Sequence, residues 1–278
     1  MFGRMIVAFD GTDTGLDGLV LSMGLARALG SQMSVVYVYD KQLSESSKEA
    51  ARELAKHADE VLAGAREYVS QALAVEFCAL PASSPAQGLY DLARSEEAEL
   101  IVLGSRRLGP RTKAALGAVS EDVVRAAPCA VAIAPRGYRS DGGFVPQKIG
   151  VGWVPTDEGE RALAVSCRIA RATGGSVELV TTTSAIDTVA SLDTRARRAV
   201  EGVAEMLGGK VQVAVRAVVG EAADELVKRS GKIDLLVLGS RRYGPPRTML
   251  VGSVSSEVVS EALCPVMILA TGSAERAL

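Results

Sequence analysis

The chain has 278 residues, of which 48% are hydrophobic and 23% charged, and its net charge at pH 7 is -2. This composition is ordinary for a globular protein, and the near-balanced charge disfavours nucleic acid or an anionic membrane as partner. The apolar run at the start is too short for a signal peptide, and no segment reaches the length needed to cross a bilayer. We therefore expect a cytoplasmic protein.

Short apolar runs alternate with helical patterns along the first half. A first strand is predicted over Met5–Phe9, followed by turn and cap residues at Asp10–Gly15 and a helix that stops at Gly30. The only histidine, His57, is expected on the surface of a charged helix. The later elements are predicted as strands over Val35–Tyr39, Ala74–Leu80, Leu100–Leu103 and Cys129–Ala134, and helices over Ser44–Ala72, Ala86–Glu96 and Ala118–Ala126.

The segment Pro135–Pro146 has the composition of a linker, and the second half then repeats the order of the first. Its elements are predicted as strands over Lys148–Val154, Val177–Thr181, Val211–Val218, Ile233–Leu238 and Cys264–Leu269, and helices ending near Thr173 and over Ala190–Leu207, Ala222–Arg229 and Val254–Leu263. Strands that alternate with helices predict parallel sheets covered on both faces.

Two loops match each other and establish the repeat. Leu103–Ser120 and Leu238–Ser255 both contain Gly-Ser-Arg-Arg, then Gly-Pro, then a glycine before a helical pattern. Each stretch predicts a strand, a glycine-containing loop and a helix start, the layout of an anion-binding turn. The chain is therefore a tandem repeat, with domains predicted over residues 1–138 and 145–278. The offset is 144 at the first strand and 135 at the loop, and we expect the nine missing residues in the second helix of the second copy.

The four cysteines are scattered without paired spacing, which argues against a zinc site or a disulfide framework. Cys129 and Cys264 begin equivalent apolar runs in the two copies. We interpret both as buried structural thiols. Trp153, which stands where Phe9 stands in the first copy, is interpreted as a core residue in preference to a platform for a base.

Both halves resemble universal stress protein domains, and the whole chain resembles the tandem two-domain type found in bacteria. The ATP-binding branch of that family has Gly, two residues, Gly, nine residues, then Gly with Ser or Thr, and an Asp that ends the first strand. The resemblance implies two Rossmann-like α/β domains of the adenine nucleotide alpha hydrolase type. Each would have a five-stranded parallel sheet in the order 3-2-1-4-5 between helices, with a nucleotide across the carboxyl ends of strands 1 and 4.

The resemblance also implies site residues. Asp10 would hold the ribose or adenine side, and Ala8 and Val38 would contact the base through their backbone. The phosphates of the first half would be lined by Gly104, Gly109, Gly117, Ala118, Val119 and Ser120. The second-half matches are Gly152, Val180, Gly239, Gly244, Gly252, Ser253, Val254 and Ser255. Arg106, Arg107, Arg241 and Arg242 are either phosphate ligands or solvated loop charges, and Asp10 is either a ligand or a helix cap.

Each half departs from the family pattern at a different place. Arg107 and Arg242 stand where the second motif glycine is expected, Ala118 replaces the motif Ser or Thr, and Val154 stands where the first copy has Asp10. A hydrogen bond to a charged group is worth about 1.5–3 kcal/mol, so the missing hydroxyl at Ala118 would weaken phosphate binding about tenfold. Val154 removes the ribose anchor. We therefore expect the first half to be the more competent site for ATP or AMP, with Mg²⁺.

Three functions fit these residues. The favoured one is a non-enzymatic, nucleotide-responsive regulatory protein of the stress response. An enzyme is disfavoured because no Walker loop, catalytic carboxylate set or Ser-His-Asp arrangement can be identified, although weak incidental ATP hydrolysis stays compatible with the residues. The third is a structural dimerisation module with vestigial pockets.

The last strands predict how the halves associate. Val131 and Ile133 correspond in pattern to Val266 and Ile268, and the family pairs its last strands edge to edge. We expect the two halves of one chain to form a pseudo-twofold pair, because pairing covers exposed strand edges. A homodimer of whole chains is left open.

Overall fold

The structure is a computed structural model that describes residues 2–69, 73–105, 117–141, 145–185, 188–208, 211–240 and 252–269. The chain divides into two compact units, one over Phe2–Phe144 and one over Val145–Leu278. Among the helices in those ranges, none is both long enough and apolar enough to span a membrane. The ends predicted for each domain stay a prediction.

The first unit alternates strands and helices. Its strands are β1 (Arg4–Ala8), β2 (Gln32–Asp40), β3 (Val75–Ala82), β4 (Leu100–Gly104) and β5 (Ala130–Ala134), and its helices are α1 (Asp13–Leu29), α2 (Lys41–Ser46), α3 (Lys48–Tyr68), α4 (Pro85–Ser95) and α5 (Ala118–Ala126). A short 3-10 helix over Tyr138–Asp141 follows β5. All strand pairs are parallel, in the order β3-β2-β1-β4-β5.

The second unit repeats this arrangement. Its strands are β6 (Lys148–Gly152), β7 (Ser176–Thr183), β8 (Gln212–Val219), β9 (Leu235–Gly239) and β10 (Val266–Leu269), and its helices are α6 (Asp157–Thr173), α7 (Val189–Met206), α8 (Ala222–Ser230) and α9 (Ser253–Glu261). The strands are parallel in the order β8-β7-β6-β9-β10. Counted within the unit, this is again 3-2-1-4-5, so the predicted fold class is confirmed for both halves.

Helices cover both faces of each sheet, as right-handed crossovers require. In the first unit, α1 and α3 pack on one face of the sheet, and α4 and α5 pack on the other. In the second unit, α6 and α7 cover one face, and α8 and α9 cover the other. The strands β1, β4 and β5 are buried along nearly their whole length. Both faces of these strands therefore form core, which explains their continuous apolar sequences.

The first helix of each unit begins and ends in the same way. Thr12 and Thr156 are the N-cap residues, and their hydroxyls accept hydrogen bonds from the amides of Gly15 and Gly159. Both helices end at a glycine in the left-handed region, with φ of 66° at Gly30 and 68° at Gly174. The predicted stop at Gly30 is confirmed, because only glycine adopts that conformation without strain.

The single long helix predicted over Ser44–Ala72 is wrong. The chain forms two helices there, α2 and α3, because Ser47 has an extended backbone and its hydroxyl caps α3 by accepting a hydrogen bond from Ala50 N. A serine cap satisfies one of the otherwise free amides at a helix start, and it ends the preceding helix. The predicted end at Ala72 lies outside the described residues.

The start of the predicted linker is held on α1. Asp17 is fully buried, and its carboxylate accepts hydrogen bonds from Gly137 N at 2.7 Å and Arg139 N at 2.9 Å. The guanidinium of Arg139 forms an ion pair of 2.9 Å with Asp13. The chain therefore belongs to the first unit at least as far as Arg139.

The nine residues missing from the second copy are lost in two places. The offset is 144 between Met33 and Val177, 138 between their ladder partners Val75 and Val213, and 135 between Gly104 and Gly239. Most of the loss therefore falls between the second and third strands, where we expected it. The remainder falls between the third and fourth strands.

The thiols are free, and three of the four are buried. Burial raises the pKa of Cys167 and of Cys264 to about 12 in each case. The interpretation of Cys129 and Cys264 as buried thiols is confirmed. His57 is exposed, as predicted, with its ring edge-on to Tyr37 at 5.8 Å between centroids.

Candidate functional site

A crevice of about 360 Å³ opens in the first unit where β1, β2 and β4 end and α5 begins. The carboxyl ends of parallel strands on either side of a reversal in strand order form such a crevice. Every predicted first-half residue that the structure describes lines it: Ala8, Asp10, Val38, Gly104, Gly117, Ala118, Val119 and Ser120. Arg106, Arg107 and Gly109 lie outside the described residues.

The start of α5 presents its first amides to this crevice. Gly117 is the N-cap residue and supplies no side-chain hydrogen bond, and Ala118 is the first helical residue. Uncapped amides and the positive end of the helix dipole together favour an anion. The Ser120 hydroxyl donates at 3.4 Å to Gly104 O, which ties the helix start to the end of β4.

Asp10 also lines the crevice and is exposed. Its Oδ1 accepts a hydrogen bond from Thr12 N at 3.1 Å and from the Thr12 hydroxyl at 2.5 Å. The cap residue of α1 is Thr12 and not Asp10. Asp10 therefore orders the turn before the helix while its carboxylate stays at the mouth of the crevice.

The first glycine of each loop is required by packing. A Cβ at Gly104 would overlap the carbonyl oxygen of Thr14 in α1, and a Cβ at Gly239 would lie 2.6 Å from the carbonyl oxygen of Glu158 in α6. These distances are too short for any side chain. Gly104 and Gly239 thus allow a helix to pack closely on a strand, besides lining the crevices.

The second unit has a larger crevice, of about 600 Å³, at the equivalent place. The predicted second-half residues that the structure describes all line it: Gly152, Val180, Gly239, Gly252, Ser253, Val254 and Ser255. Gly252 is the N-cap residue of α9 and gives no side-chain cap. Arg241, Arg242 and Gly244 lie outside the described residues.

The wall that Asp10 forms in the first crevice is apolar in the second. Val154 lines this wall and is 47% exposed, and Val254 at the start of α9 is 37% exposed. Trp153 is buried to 2% exposure, as the interpretation of a core residue predicted, and its ring also contributes to the lining. The second crevice therefore keeps a helix start for an anion but has lost the carboxylate.

The match between Val38 and Val180 needs a correction. Ala8 pairs with Val36 in the first sheet, and its equivalent Gly152 pairs with Val180 in the second. The offset of 144 therefore holds through the second strand, and the counterpart of Val38 is Thr182. Thr182 and Val180 both line the second crevice.

The sequence left several lining residues unidentified. In the first crevice they include Tyr37, Pro85 and Leu89, and in the second Ala222 and Leu226. Most belong to the helix that follows the third strand, α4 or α8. The turn signal of Ser84-Pro85, with Ser84 as the N-cap residue, could have indicated that this helix starts at the same edge of the sheet.

Comparison with known proteins agrees with this architecture. The model of the universal stress protein family matches residues 1–135 and again residues 146–270. The chain belongs to the universal stress protein family. A universal stress protein of Mycobacterium tuberculosis is 31% identical over 204 residues, which cover 67% of this chain and 66% of that relative. The match thus spans just under two thirds of the relative's length.

Other members of the family match one half or the whole chain. A universal stress protein of Thermus aquaticus is 32% identical over 135 residues, which cover 47% of this chain and 97% of that protein. The crystal structure of a universal stress protein from Archaeoglobus fulgidus has a TM-score of 0.79 at 22% identity, covering 98% of this chain and 100% of its own. At that identity the likeness concerns the fold alone.

Proposed function

We propose that this universal stress protein is a non-enzymatic regulatory protein of the stress response that binds ATP or AMP in the first crevice. One observation carries the proposal: the Asp10 carboxylate and the uncapped start of α5 face the same cavity of about 360 Å³. A carboxylate accepts hydrogen bonds from ribose hydroxyls, and a helix start accepts phosphate. Val38 lines the same cavity and would contact the adenine. The cytoplasmic location expected from the sequence is part of this proposal.

The second crevice is proposed as the weaker nucleotide site. Val154 cannot accept a hydrogen bond, and a ribose placed against it would lose contact with water without compensation. The Ser253 hydroxyl, absent at Ala118, favours phosphate at the other end. The second crevice thus lacks a carboxylate for the ribose and keeps only the helix start for the phosphates. We therefore assign adenine nucleotides to the first unit.

Nucleotide binding would increase the population of whichever conformation or association state of the protein binds the nucleotide more tightly. A ligand stabilises that state by RT ln(1 + [L]/Kd), which is about 2.7 kcal/mol at a hundredfold excess over Kd. Mg²⁺ would accompany the phosphates, since it is held mainly by phosphate oxygens and water. Among the described residues that line the first crevice, none pairs a nucleophile with a base.

Calorimetric titration with ATP and AMP, with and without Mg²⁺, tests the proposal. Asp10→Ala should abolish measurable binding, and Ala118→Ser should tighten it about tenfold by restoring one hydrogen bond to a charged group. Asp59→Asn is the matched control, because Asp59 is exposed on α3 and outside the crevice. Thermal unfolding of each variant separates lost binding from lost structure.

Two other outcomes would redirect the assignment. If no adenine nucleotide bound to the wild type or to Ala118→Ser, the crevices would be vestigial and the chain a structural module. If phosphate were released steadily over many turnovers, and Asp10→Ala stopped the release, the protein would be an ATPase. If Asp10→Ala bound ATP and AMP as tightly as the wild type, the Asp10 carboxylate would not be part of the nucleotide site.

A further inference from the structure

The segment that follows β5 is held on α1, the helix whose start lines the first crevice. This segment forms the 3-10 helix over Tyr138–Asp141, which packs on α1. Asp17 is fully buried on α1, and its carboxylate accepts hydrogen bonds from Gly137 N at 2.7 Å and from Arg139 N at 2.9 Å. A buried carboxylate needs such donors, so the segment and the helix are held together by both of its oxygens.

The side chain of Arg139 holds the first residue of α1 at two points. Its Nη1 donates a hydrogen bond to Asp13 O at 2.7 Å, and its Nη2 lies 2.9 Å from Asp13 Oδ1. Asp13 O and Thr14 N belong to one planar peptide group, so a donor that holds this oxygen also restrains the backbone at Thr14. Thr14 lines the first crevice. Arg139 therefore restrains a residue of the crevice wall.

Two hydroxyl groups connect Thr14 to Asp10. The Oγ1 of Thr14 lies 2.9 Å from the Oγ1 of Thr12, which in turn lies 2.5 Å from Asp10 Oδ1. An ionised carboxylate has no proton to donate, so the Thr12 hydroxyl donates to Asp10. Its only proton is then used, and the Thr14 hydroxyl must donate to Thr12. The hydrogen bonds thus run in one direction and end on the carboxylate that we assign to the ribose.

We propose that Arg139 is a positioning residue for the nucleotide site of the first unit, which it affects through the contacts at the start of α1. This inference rests on the proposed function. It means that nucleotide binding and the docking of residues 137–139 on α1 are coupled, and each strengthens the other by the same factor. A nucleotide in the first crevice would therefore tighten the hold on the segment that leads to the second unit.

The second unit lacks the residues that make these contacts in the first. At the offset of 144, Arg161 stands where the first unit has Asp17. Glu158 stands where it has Thr14, so the hydroxyl that would continue the chain is absent. Arg161 and Glu158 instead form an ion pair of 3.5 Å within α6. The contacts from Arg139 to the crevice therefore belong to the unit that also has the carboxylate.

Calorimetric titration of Arg139→Gln with ATP and AMP tests the positioning role. We expect affinity to fall about fivefold or more, the lower end of the usual range for coupled sites. Thermal stability should fall little, because a partly exposed ion pair contributes little to it. Arg139→Lys keeps the charge and one donor, and should recover part of the affinity. Arg197→Gln is the matched control, since it breaks an ion pair of 2.7 Å in the second unit and should leave affinity unchanged.

Hydrogen exchange in the wild type tests the same coupling from the other end. Saturating ATP should slow exchange of the Gly137 and Arg139 amides by up to the factor that Arg139→Gln loses in affinity. The amide of Gly30, which donates to Ala26 O at the far end of α1, is the control. Equal slowing at Gly30 would show general stabilisation of the unit and would overturn the inference.

The two proposals fail in different ways. If the wild type binds ATP or AMP but Arg139→Gln binds it equally well, the positioning role is wrong and the proposed function stands. Exchange at Gly137 and Arg139 that does not respond to bound nucleotide would have the same meaning. If the wild type binds no adenine nucleotide at all, the proposed function is wrong and the positioning role is overturned with it.

Discussion

Gly104 is required by packing and also lines the first crevice. The absence of a side chain lets the backbone of α1 reach the end of β4, where a Cβ would overlap Thr14 O. Gly104 also lines the same crevice as Asp10. Gly239 repeats the contact against Glu158 in the second unit.

We predict that Gly104→Ala destabilises the protein whether or not nucleotide is present. Neither backbone can move aside easily, and overpacking of this kind costs about 1–3 kcal/mol or more. Urea denaturation measures the loss. Gly202→Ala is the control, because a Cβ there meets nothing within 4 Å and alanine favours the helix α7 in which Gly202 lies. If Gly104→Ala kept its midpoint and lost only nucleotide affinity, the glycine would serve the ligand alone.

For single residues, the sequence predicted which of them line the crevices better than it predicted what each one does there. The constant offset between the two loops identified residues that do line the crevices, such as Gly117 and Gly252. It could not show that Gly104 is required by α1, because what a glycine touches depends on an element far away in sequence.

Glu178 links three elements of the second unit. It lies on β7, and its carboxylate accepts hydrogen bonds from Arg216 on β8 at 2.7 Å and from Arg229 on α8 at 2.6 Å. Burial alone would raise the pKa of Glu178, but the hydrogen bonds from Arg229 and Arg216 outweigh it and lower the pKa. The charged carboxylate therefore helps to hold α8 on the sheet.

We predict that Glu178→Gln lowers the free energy of unfolding at pH 7 by about 1.5–3 kcal/mol, the range for hydrogen bonds to charged groups. Because the pKa is lower in the folded state, this stabilisation is present above the unfolded pKa near 4.5 and disappears as pH falls through the folded value. The difference between wild type and variant should therefore shrink in urea titrations from pH 7 to pH 3. Glu205→Gln, on the exposed face of α7, should show no such difference.

The elements themselves could largely be predicted. Alternating apolar runs and helical patterns located the ten strands, and the family resemblance gave their order. The break at Ser47 could not be predicted, because the sequence around it favours a helix on both sides. One hydroxyl that accepts from Ala50 N decides where α3 begins.

For the whole molecule, the main proposal is that the two units of one chain pair through β5 and β10. Val131, Ile133, Val266 and Ile268 carry matching apolar patterns on these last strands. A sheet that ends at an apolar strand exposes unpaired backbone groups, which promote aggregation with other chains. Pairing of the two last strands within the chain would remove this risk. Pairing of this kind would make each unit stabilise the other.

Cleavage between the units tests the pairing. A protease site inserted after residue 141 leaves intact the hydrogen bonds from Gly137 and Arg139 to Asp17. We predict that the two fragments elute together from gel filtration at micromolar concentration and separate only in denaturant. The uncut chain is the control for size. Fragments that separate under native conditions would show that the units do not hold each other.

The placement of Trp153 in only one unit has a practical consequence. Because the chain has one tryptophan, its tryptophan fluorescence reports the melting of the second half, whereas circular dichroism averages over both. Coincident curves from the two signals are the mark of a single cooperative transition. Comparing the fluorescence of Trp153 with circular dichroism therefore distinguishes two halves that unfold independently from one cooperative unit.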